Sequence, residues 1–354
     1  MKAKEQRPQQ KNGFQMPIAY PTGNSKMSLE GRILAGDVGG TKTNLALYQI
    51  ENGRFLAVKE QTYPTADFKS FTDMASTFCD SDSTVDGLCL GVAGPVTQGK
   101  VHGTNFPWDI DSTEIAKSLN VRSVSLINDM EANAYGLSAL TEKDFEILRP
   151  GTDVPGNAAI ISPGTGLGEA GLFWDGSKYH PFATEGGHCD YSPRNDIDLE
   201  LWHFLHQKYG HVSWERVLCG HGIYDIYLFL KRYRNLPEST TLHEKFQKED
   251  HAAVITHEAI EGSDPVCLEA LELFTRYLAN ECAQLGLKIK ATGGIYIGGG
   301  IVPKIMAGVS REIFHDNFLN AGRMNSLLEM IPVKVVLNPK TALLGAGLYA
   351  AMHL

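Results

Sequence analysis

This chain of 354 residues has only six cysteines, and none of them, at Cys79, Cys89, Cys189, Cys219, Cys267 and Cys282, stands in a CxxC pair. That spacing disfavours a disulfide framework and a structural zinc, and several of the six lie inside apolar runs, which suits free thiols in a reducing compartment. Basic residues are also in deficit: 32 Lys and Arg against 41 Asp and Glu leave a formal charge of -9. The deficit argues against nucleic acid as a partner and leaves any phosphate ligand to local donors. No apolar run reaches the length of a membrane span, and residues 1–30 lack the continuous apolar core of a secretory signal, so neither export nor membrane attachment is expected.

What is present suits a two-domain globular protein, since hydrophobic residues make up 43% of the chain, enough for sizeable cores. Residues 1–30 stand apart: rich in Lys, Gln, Pro, Asn and Ser and without periodicity, they read as a disordered arm. Met27, just before the first strand, leaves an internal start or added sequence as an explanation of the arm.

Two glycine-rich turns carry the most information, Asp37-Val38-Gly39-Gly40-Thr41 and Pro163-Gly164-Thr165-Gly166-Leu167-Gly168. Each joins two apolar runs, and residues 33–48 lie over residues 159–174 without gaps. A second echo pairs Gly87-Leu88-Cys89-Leu90-Gly91-Val92-Ala93-Gly94 with Gly294-Ile295-Tyr296-Ile297-Gly298-Gly299-Gly300. Two matched pairs in the same order imply an internal duplication. Glycine lets a turn bring backbone N–H groups close to an anion and threonine adds a hydroxyl, so two facing hairpins can grip a polyphosphate from both sides.

Along the chain, strands are expected at 33–35, 44–50 and 54–62, with an Asn52-Gly53 turn and a helix from near Ala66. Asp111, followed three residues later by Glu114, resembles a capping box. A strand at 123–127 ends at Asn128-Asp129 before a helical stretch, where α/β folds place functional side chains and where Asp also serves as a helix cap. In Thr184-Glu185-Gly186-Gly187-His188-Cys189-Asp190 an acid and an imidazole flank a Gly-Gly bend and can face one cavity. His188 has no second ligand at a zinc spacing, which favours hydrogen bonding to a sugar or to the protein over metal. Glu215 falls inside a helix expected from Ser213, as a site acid or as a first-turn complement to the helix dipole. Residues 266–287 read as a long helix packing Leu268, Leu271, Phe274, Leu278 and Leu285 in the core.

The ordered set Gly36-Asp37-Val38-Gly39-Gly40-Thr41, Gly94-Pro95, Asn128-Asp129, Gly164-Thr165-Gly166-Leu167-Gly168, Glu185-Gly186-Gly187-His188, Glu215-Arg216-Val217-Leu218 and Gly298-Gly299-Gly300-Ile301-Val302-Pro303 resembles the bacterial glucokinases of the hexokinase and actin-like ATPase superfamily. The resemblance spans about residues 33–349; each motif is weak alone, and the ordered series is specific. It implies an α/β class, duplicated actin-like (ribonuclease H-like) fold, with two domains around a central cleft. A small α/β domain of residues 31–138 plus 337–354 would face a large α+β domain of 139–336, with the last helix crossing back.

The same resemblance implies ATP held by Gly36, Asp37, Val38, Gly39, Gly40, Thr41, Gly164, Thr165 and Gly166, adenosine near Gly298, Gly299 and Gly300, and glucose contacted by Asn128, Asp129, Glu185, His188 and Glu215. Asp129 becomes the expected catalytic base, and Asp37 is expected to orient Mg²⁺ through water. The implied reaction is ATP-dependent phosphorylation of D-glucose to glucose 6-phosphate, the first step of glycolysis, by a cytoplasmic homodimer.

Two departures stand out. Lys42-Thr43-Asn44 follows the first turn where the family often has Asn-Ala-Arg, leaving Lys42 as the nearby cation. The cysteine-rich zinc motif of the related repressor/open-reading-frame/kinase sugar kinases is missing after His188, which points to the non-zinc glucokinases. A kinase for another hexose, a polyphosphate-using enzyme and a non-catalytic sugar-responsive regulator remain alternatives, although the arm lacks the length and periodicity of a helix-turn-helix.

Overall fold

The computed structural model describes residues 16–21, 28, 30–52, 54–79, 84–103, 106–152 and 154–354. The first half runs β1 (Glu30–Val38), β2 (Lys42–Glu51), β3 (Arg54–Pro64), α1 (Phe71–Phe78), β4 (Gly87–Val92), a short ladder of β5 (Lys100–Val101) and β6 (Ile110–Asp111), α2 (Ser112–Leu119), β7 (Ser123–Asn128) and α3 (Asp129–Gly136). Then come β8 (Phe145–Arg149), β9 (Ala158–Pro163), β10 (Leu167–Trp174), β11 (Tyr179–Thr184), α4 (Asp196–Tyr209), α5 (Gly220–Tyr233), α6 (Thr240–Phe246), α7 (His251–Glu261) and α8 (Pro265–Ile289). The chain closes with β12 (Gly294–Ile297), α9 (Val302–Ile305), α10 (Arg311–Phe318), α11 (Asn325–Leu328), β13 (Val333–Val336) and α12 (Thr341–Ala351).

The strands form two large sheets, ordered β3-β2-β1-β4-β7 and β11-β10-β9-β12-β13-β8. In each, three antiparallel strands are followed by two running parallel to the first, so β4 and β12, the two echoing glycine-ended runs, hold the same place. The duplication read from the sequence is therefore built into the topology. The gapless overlay does not survive: the first ladder closes on Val38 opposite Thr43, around residues 39–42, and the second on Pro163 opposite Leu167, around residues 164–166. The second turn is the tighter one.

The middle of β1, Ile33-Leu34-Ala35, is apolar without alternation because both its faces are covered. Ile33 and Ala35 pack toward Ala132, Ala346 and Ala350 of α3 and α12, while Leu34 faces Phe71, Met74 and Phe78 of α1. Helix α3 also packs on β9, β10 and β11 of the second sheet, and α12 packs on α3 and the first sheet, so α3, crossed by α12, joins the two sheets. The helix crossing is so close that a Cβ on Gly345 would stand 1.8 Å from the Ala132 carbonyl, which only glycine permits. The larger core surrounds α8, from Leu271 to Leu285, on the other side of the second sheet.

Several expectations are corrected. Residues 1–15, 22–27 and 29 of the expected arm lie outside the described residues, but residues 16–21 are docked. Ala19 N donates to the Tyr179 carbonyl at 2.8 Å, Tyr179 N to that of Pro17 at 2.8 Å, and Tyr20 stacks on Tyr135 with ring centroids 5.2 Å apart. Alternating Met16 and Ile18, both buried, explain this docking at the edge of β11.

The helix expected near Ala66 starts at Phe71, capped by Ser70, whose Oγ accepts from Asp73 N at 3.1 Å; residues 65–67 make one 3-10 turn. Ser213 likewise opens only a 3-10 turn, Trp214–Arg216, because the chain straightens again before α5. Asp111 does cap α2, accepting from Thr113 N and Glu114 N. Helix α8 is longer than expected at both ends, and Leu268 sits off its buried face, 41% exposed.

Candidate active site

Hairpin register fixes the chemistry of the first turn. Asp37 stands opposite Asn44, whose Nδ2 donates to Asp37 Oδ2 at 3.0 Å while Asn44 Oδ1 accepts from Thr62 Oγ1 at 2.8 Å. Burial pushes the Asp37 carboxyl above the usual carboxylate range, opposed by the Asn44 bond and the charge of Lys42. The turn closes by Gly39 N donating to the Lys42 carbonyl at 3.1 Å. Thr65 braces it from outside: its Oγ1 donates to the Gly39 carbonyl at 2.8 Å and lies 3.0 Å from Thr43 Oγ1, and its N–H reaches the Thr41 carbonyl at 3.0 Å. Gly40 is partly exposed and Thr41 exposed. Gly36 and Val38 are instead buried in β1, where a Cβ on Gly36 would sit 2.6 Å from Leu90, so their side-chain positions belong to packing beneath the turn.

The second turn is held from the helical side of the second sheet. Gly164 N donates to the Gly166 carbonyl at 2.8 Å, and the Gly164 carbonyl accepts from Gly220 N, at the start of α5, at 3.0 Å. Glu215 Oε2 accepts from Leu167 N at 3.0 Å, and a Cβ on Gly166 would come within 2.4 Å of that oxygen. Glu215, expected at the sugar, therefore also secures the second glycine turn. Thr165 is exposed at the tip. The Gly298-Gly299-Gly300 turn adjoins this hairpin: Gly298 N donates to the Ile161 carbonyl at 2.8 Å, and Gly299, at φ 81, lies so near the Pro163 carbonyl that a Cβ would stand 2.3 Å from it. Gly299 and Gly300 are open to solvent.

At the end of β7 the two adjacent residues divide their duties. Asn128, not Asp129, caps α3: its Oδ1 accepts from Met130 N at 2.9 Å, its Nδ2 donates to the Gly94 carbonyl at 3.2 Å, and Glu131 accepts from Asn128 N in a capping box. Asn128 is buried and its side chain engaged at both ends. Asp129, at the first helical position, is left with a contact of 2.9 Å from its Oδ1 to Met130 N. Burial above all, then the charge of Asp37 and, more weakly, that of Glu185 push its carboxyl up to about 6. An acid from the first hairpin and an acid from the Gly-Gly bend thus both bear on Asp129.

The bend itself is a 3-10 turn, Gly186–His188, that leaves Glu185 and His188 exposed with Glu185 Oε2 and His188 Nε2 4.0 Å apart. Among the described residues no group of three or more His, Cys, Asp or Glu is arranged to hold a metal. Asn44, Thr65 and Gly220 were not anticipated as site residues. Asn44 was findable, since a hairpin of this length sets it across from Asp37; Thr65 and Gly220 reach the turns from elements distant in sequence.

The chain matches the family model for glucokinase over residues 34–353. It is 38% identical to the glucokinase of Trichormus variabilis, over 90% of this chain and 98% of that one, and 36% identical to that of Synechocystis sp., over 90% and 97%. Among solved structures, a glucokinase from an Antarctic psychrotroph is 30% identical with a TM-score of 0.76, covering 89% of this chain and 97% of its own. The glucokinase of Balamuthia mandrillaris, solved in complex with glucose, shares the fold at 22% identity, with a TM-score of 0.75 and coverage of 91% and 94%. With its duplicated sheets of actin-like ATPase topology, the chain belongs to the glucokinase family.

Proposed function

We propose that this chain carries out its family's reaction, the ATP-dependent phosphorylation of D-glucose to glucose 6-phosphate, with Asp129 as general base. One observation carries the assignment of roles: Asp129 is spared from capping by Asn128 and stands between the influence of Asp37 and that of Glu185. A carboxyl pushed up to about 6 is ionised at neutral pH yet basic enough to take the proton of a primary hydroxyl. Glu185, His188 and Glu215, with the one Nδ2 proton of Asn128 that is not donated to Gly94, contact the sugar: hydroxyls that both donate and accept are matched by carboxylates, imidazole and amide. The N–H groups of the two glycine turns and Lys42 face the phosphates, and the Gly298-Gly299-Gly300 turn takes the adenosine.

Asp37 suits Mg²⁺: it is a carboxylate with one donor bond, from Asn44, and no acid or histidine cluster among the described residues cages it, so a cation would share it with phosphate oxygens and water. Bound there, Mg²⁺ would neutralise charge on the phosphates. Residues 31–138 plus 337–354 and residues 139–336 are the two lobes that close on the substrates. A cytosolic role at the entry to glycolysis suits the six free thiols, and a homodimer, proposed on the family resemblance, is checked by light scattering.

The test is an assay of purified full-length protein with Mg²⁺ and a panel of hexoses, measuring ADP and sugar 6-phosphate together, with polyphosphate as a second donor. Glucose-dependent ADP release is expected. Turnover only with another hexose, or only with polyphosphate, would move the assignment to that substrate, and no turnover with any would leave a sugar-responsive regulator.

A further inference from the structure

The mechanism leaves one pair of buried acids unused. Glu169 of β10 is 2% exposed and Glu281 of α8 is fully buried, and their carboxyls adjoin closely enough to hydrogen-bond. Lys288 Nζ donates to Glu281 Oε1 at 3.1 Å, but Glu169 Oε1 and Glu281 Oε2 have no donor among the described residues. Two buried carboxylates with one ammonium between them are unfavourable, and a proton held in common turns one into a donor for the other. Burial pushes both carboxyls up, and the charge of Glu169 pushes Glu281 further.

This pair lies directly under the Glu185 bend. Glu169 stands opposite Thr184, the last residue of β11; its carbonyl accepts from Thr184 Oγ1 at 3.0 Å, and that oxygen accepts from Gly186 N at 3.2 Å. A Cβ on Gly186 would stand 2.0 Å from Glu169 Oε2, so the carboxyl rests against the backbone that joins Glu185 to His188. The other charged or titratable groups near the pair are Cys282 and Lys288 on α8, Arg194 on the loop before α4, Cys189 beside Lys288, and Glu185 and His188 on the bend itself. On the far side β9 contributes Ile161, which does not titrate.

We propose that Glu169 and Glu281 share one proton and act as positioning residues for the Gly186 bend, so that loss of this proton at alkaline pH sets two carboxylates against each other and loosens the grip of Glu185 and His188 on the sugar. The proton leaves to solvent, and Lys288 balances one of the two charges that remain. The inference rests on the reading of Glu185 and His188 as glucose contacts.

The experiment measures kcat and the KM values for glucose and ATP of the full-length enzyme from about pH 6 to about 9.5, for the wild type, Glu169→Gln, Glu281→Gln and Lys288→Met. The wild type is expected to show a rise of about fivefold in glucose KM on the alkaline side, the scale of one lost hydrogen bond, with ATP KM following a different course. Glu169→Gln and Glu281→Gln keep a permanent donor and should flatten the rise. Lys288→Met, at a half-exposed position that threatens folding least, removes the compensating charge and should move the rise to higher pH.

A glucose KM that is flat in the wild type, or an alkaline rise unchanged in the glutamine variants and unmoved in Lys288→Met, overturns the proposal. A purely structural pair would lower the melting temperature of the variants without reshaping the profile, and that outcome also overturns it. Failure of the kinase reading looks different: no glucose-dependent ADP release from the wild type at any pH.

Discussion

The two glycine hairpins descend from one pattern but have been put to different uses. The first carries its own chemistry, an acid at Asp37 held by Asn44 within the same hairpin, and is steadied by Thr65 just beyond β3. The second has Ser162, one pair before the end of its ladder, at the place where the first has its acid, and its support comes from Glu215 and Gly220, about fifty residues along the chain. Duplication supplied two equivalent backbone cradles. Divergence then put the acids Asp37 and Asp129 on the first half and gave the second half most of the groups assigned here to the sugar, Glu185, His188 and Glu215, with Asn128 reaching it from the first. In a reaction that moves a phosphoryl group from one ligand to the other, this division leaves each half with a separate ligand contact to lose.

The sharpest way to break the comparison is Asp129→Asn. If the first half owns the chemistry, kcat falls by at least ~10²-fold while glucose binding by calorimetry persists. In the wild type, kcat/KM should climb as pH rises through about 6, and Asp37→Asn, which deletes the charge that helps raise Asp129, should move that climb lower. Stability runs the other way. An acid whose pKa is raised by folding costs stability as pH passes from its ordinary value to the folded one, so the asparagine variant should melt higher above about pH 6 and show no gain near pH 4. The gain should be about 1–2 kcal/mol, below the full linkage value because the carboxyl is partly exposed. A variant that keeps its turnover would return Asp129 to the role of a helix-end residue.

Much of this was legible in the residues themselves. Glycine turns flanked by apolar runs are local features, so both hairpins and their duplication could be read directly, and Asn128-Asp129 was placed correctly at a strand end leading into a helix. The sequence could not say which of those two residues caps α3, because Asn and Asp are equally good caps; the choice depends on Glu131 completing the box around Asn128. Glu215 was seen, but its bond to Leu167 N was not, since the two lie in elements brought together only by the packing of α5 against the second turn. Glu169 was invisible for the opposite reason: an acid inside an apolar strand carries no local signal of the acid on α8 that adjoins it. The docking of residues 16–21 escaped notice because the apolar run Met16-Pro17-Ile18-Ala19-Tyr20 is too short to show a period.

A smaller effect separates the two sides of the sugar site. Glu185→Ala should raise glucose KM by the equivalent of ~1–3 kcal/mol and leave ATP KM nearly unchanged, since Glu185 stands on the exposed bend. Glu215→Ala should raise both, because it also releases Leu167 N at the second turn. Equal, glucose-only effects of the two variants would mean that the Glu215 bond does not support the phosphate hairpin. Gly166→Val cannot serve as the test of that hairpin, because the new side chain would strike Glu215 itself.

The smallest expected effect tests the first hairpin by its brace. Thr65→Val keeps shape but removes the hydroxyl that donates to the Gly39 carbonyl and meets Thr43, at a fully buried position. One such bond is worth about 1 kcal/mol, and the Thr43 hydroxyl left without its partner adds to the loss, so stability should fall by about 1–2 kcal/mol. The backbone bond from residue 65 to the Thr41 carbonyl survives the substitution, so the turn should loosen without coming apart. Its N–H groups would then spend less time converged on the phosphates, raising ATP KM several-fold while glucose KM and the pH profile hold. An equal rise in both KM values would show that the first turn is coupled to the sugar as tightly as the second, and the division of labour between the hairpins would fall.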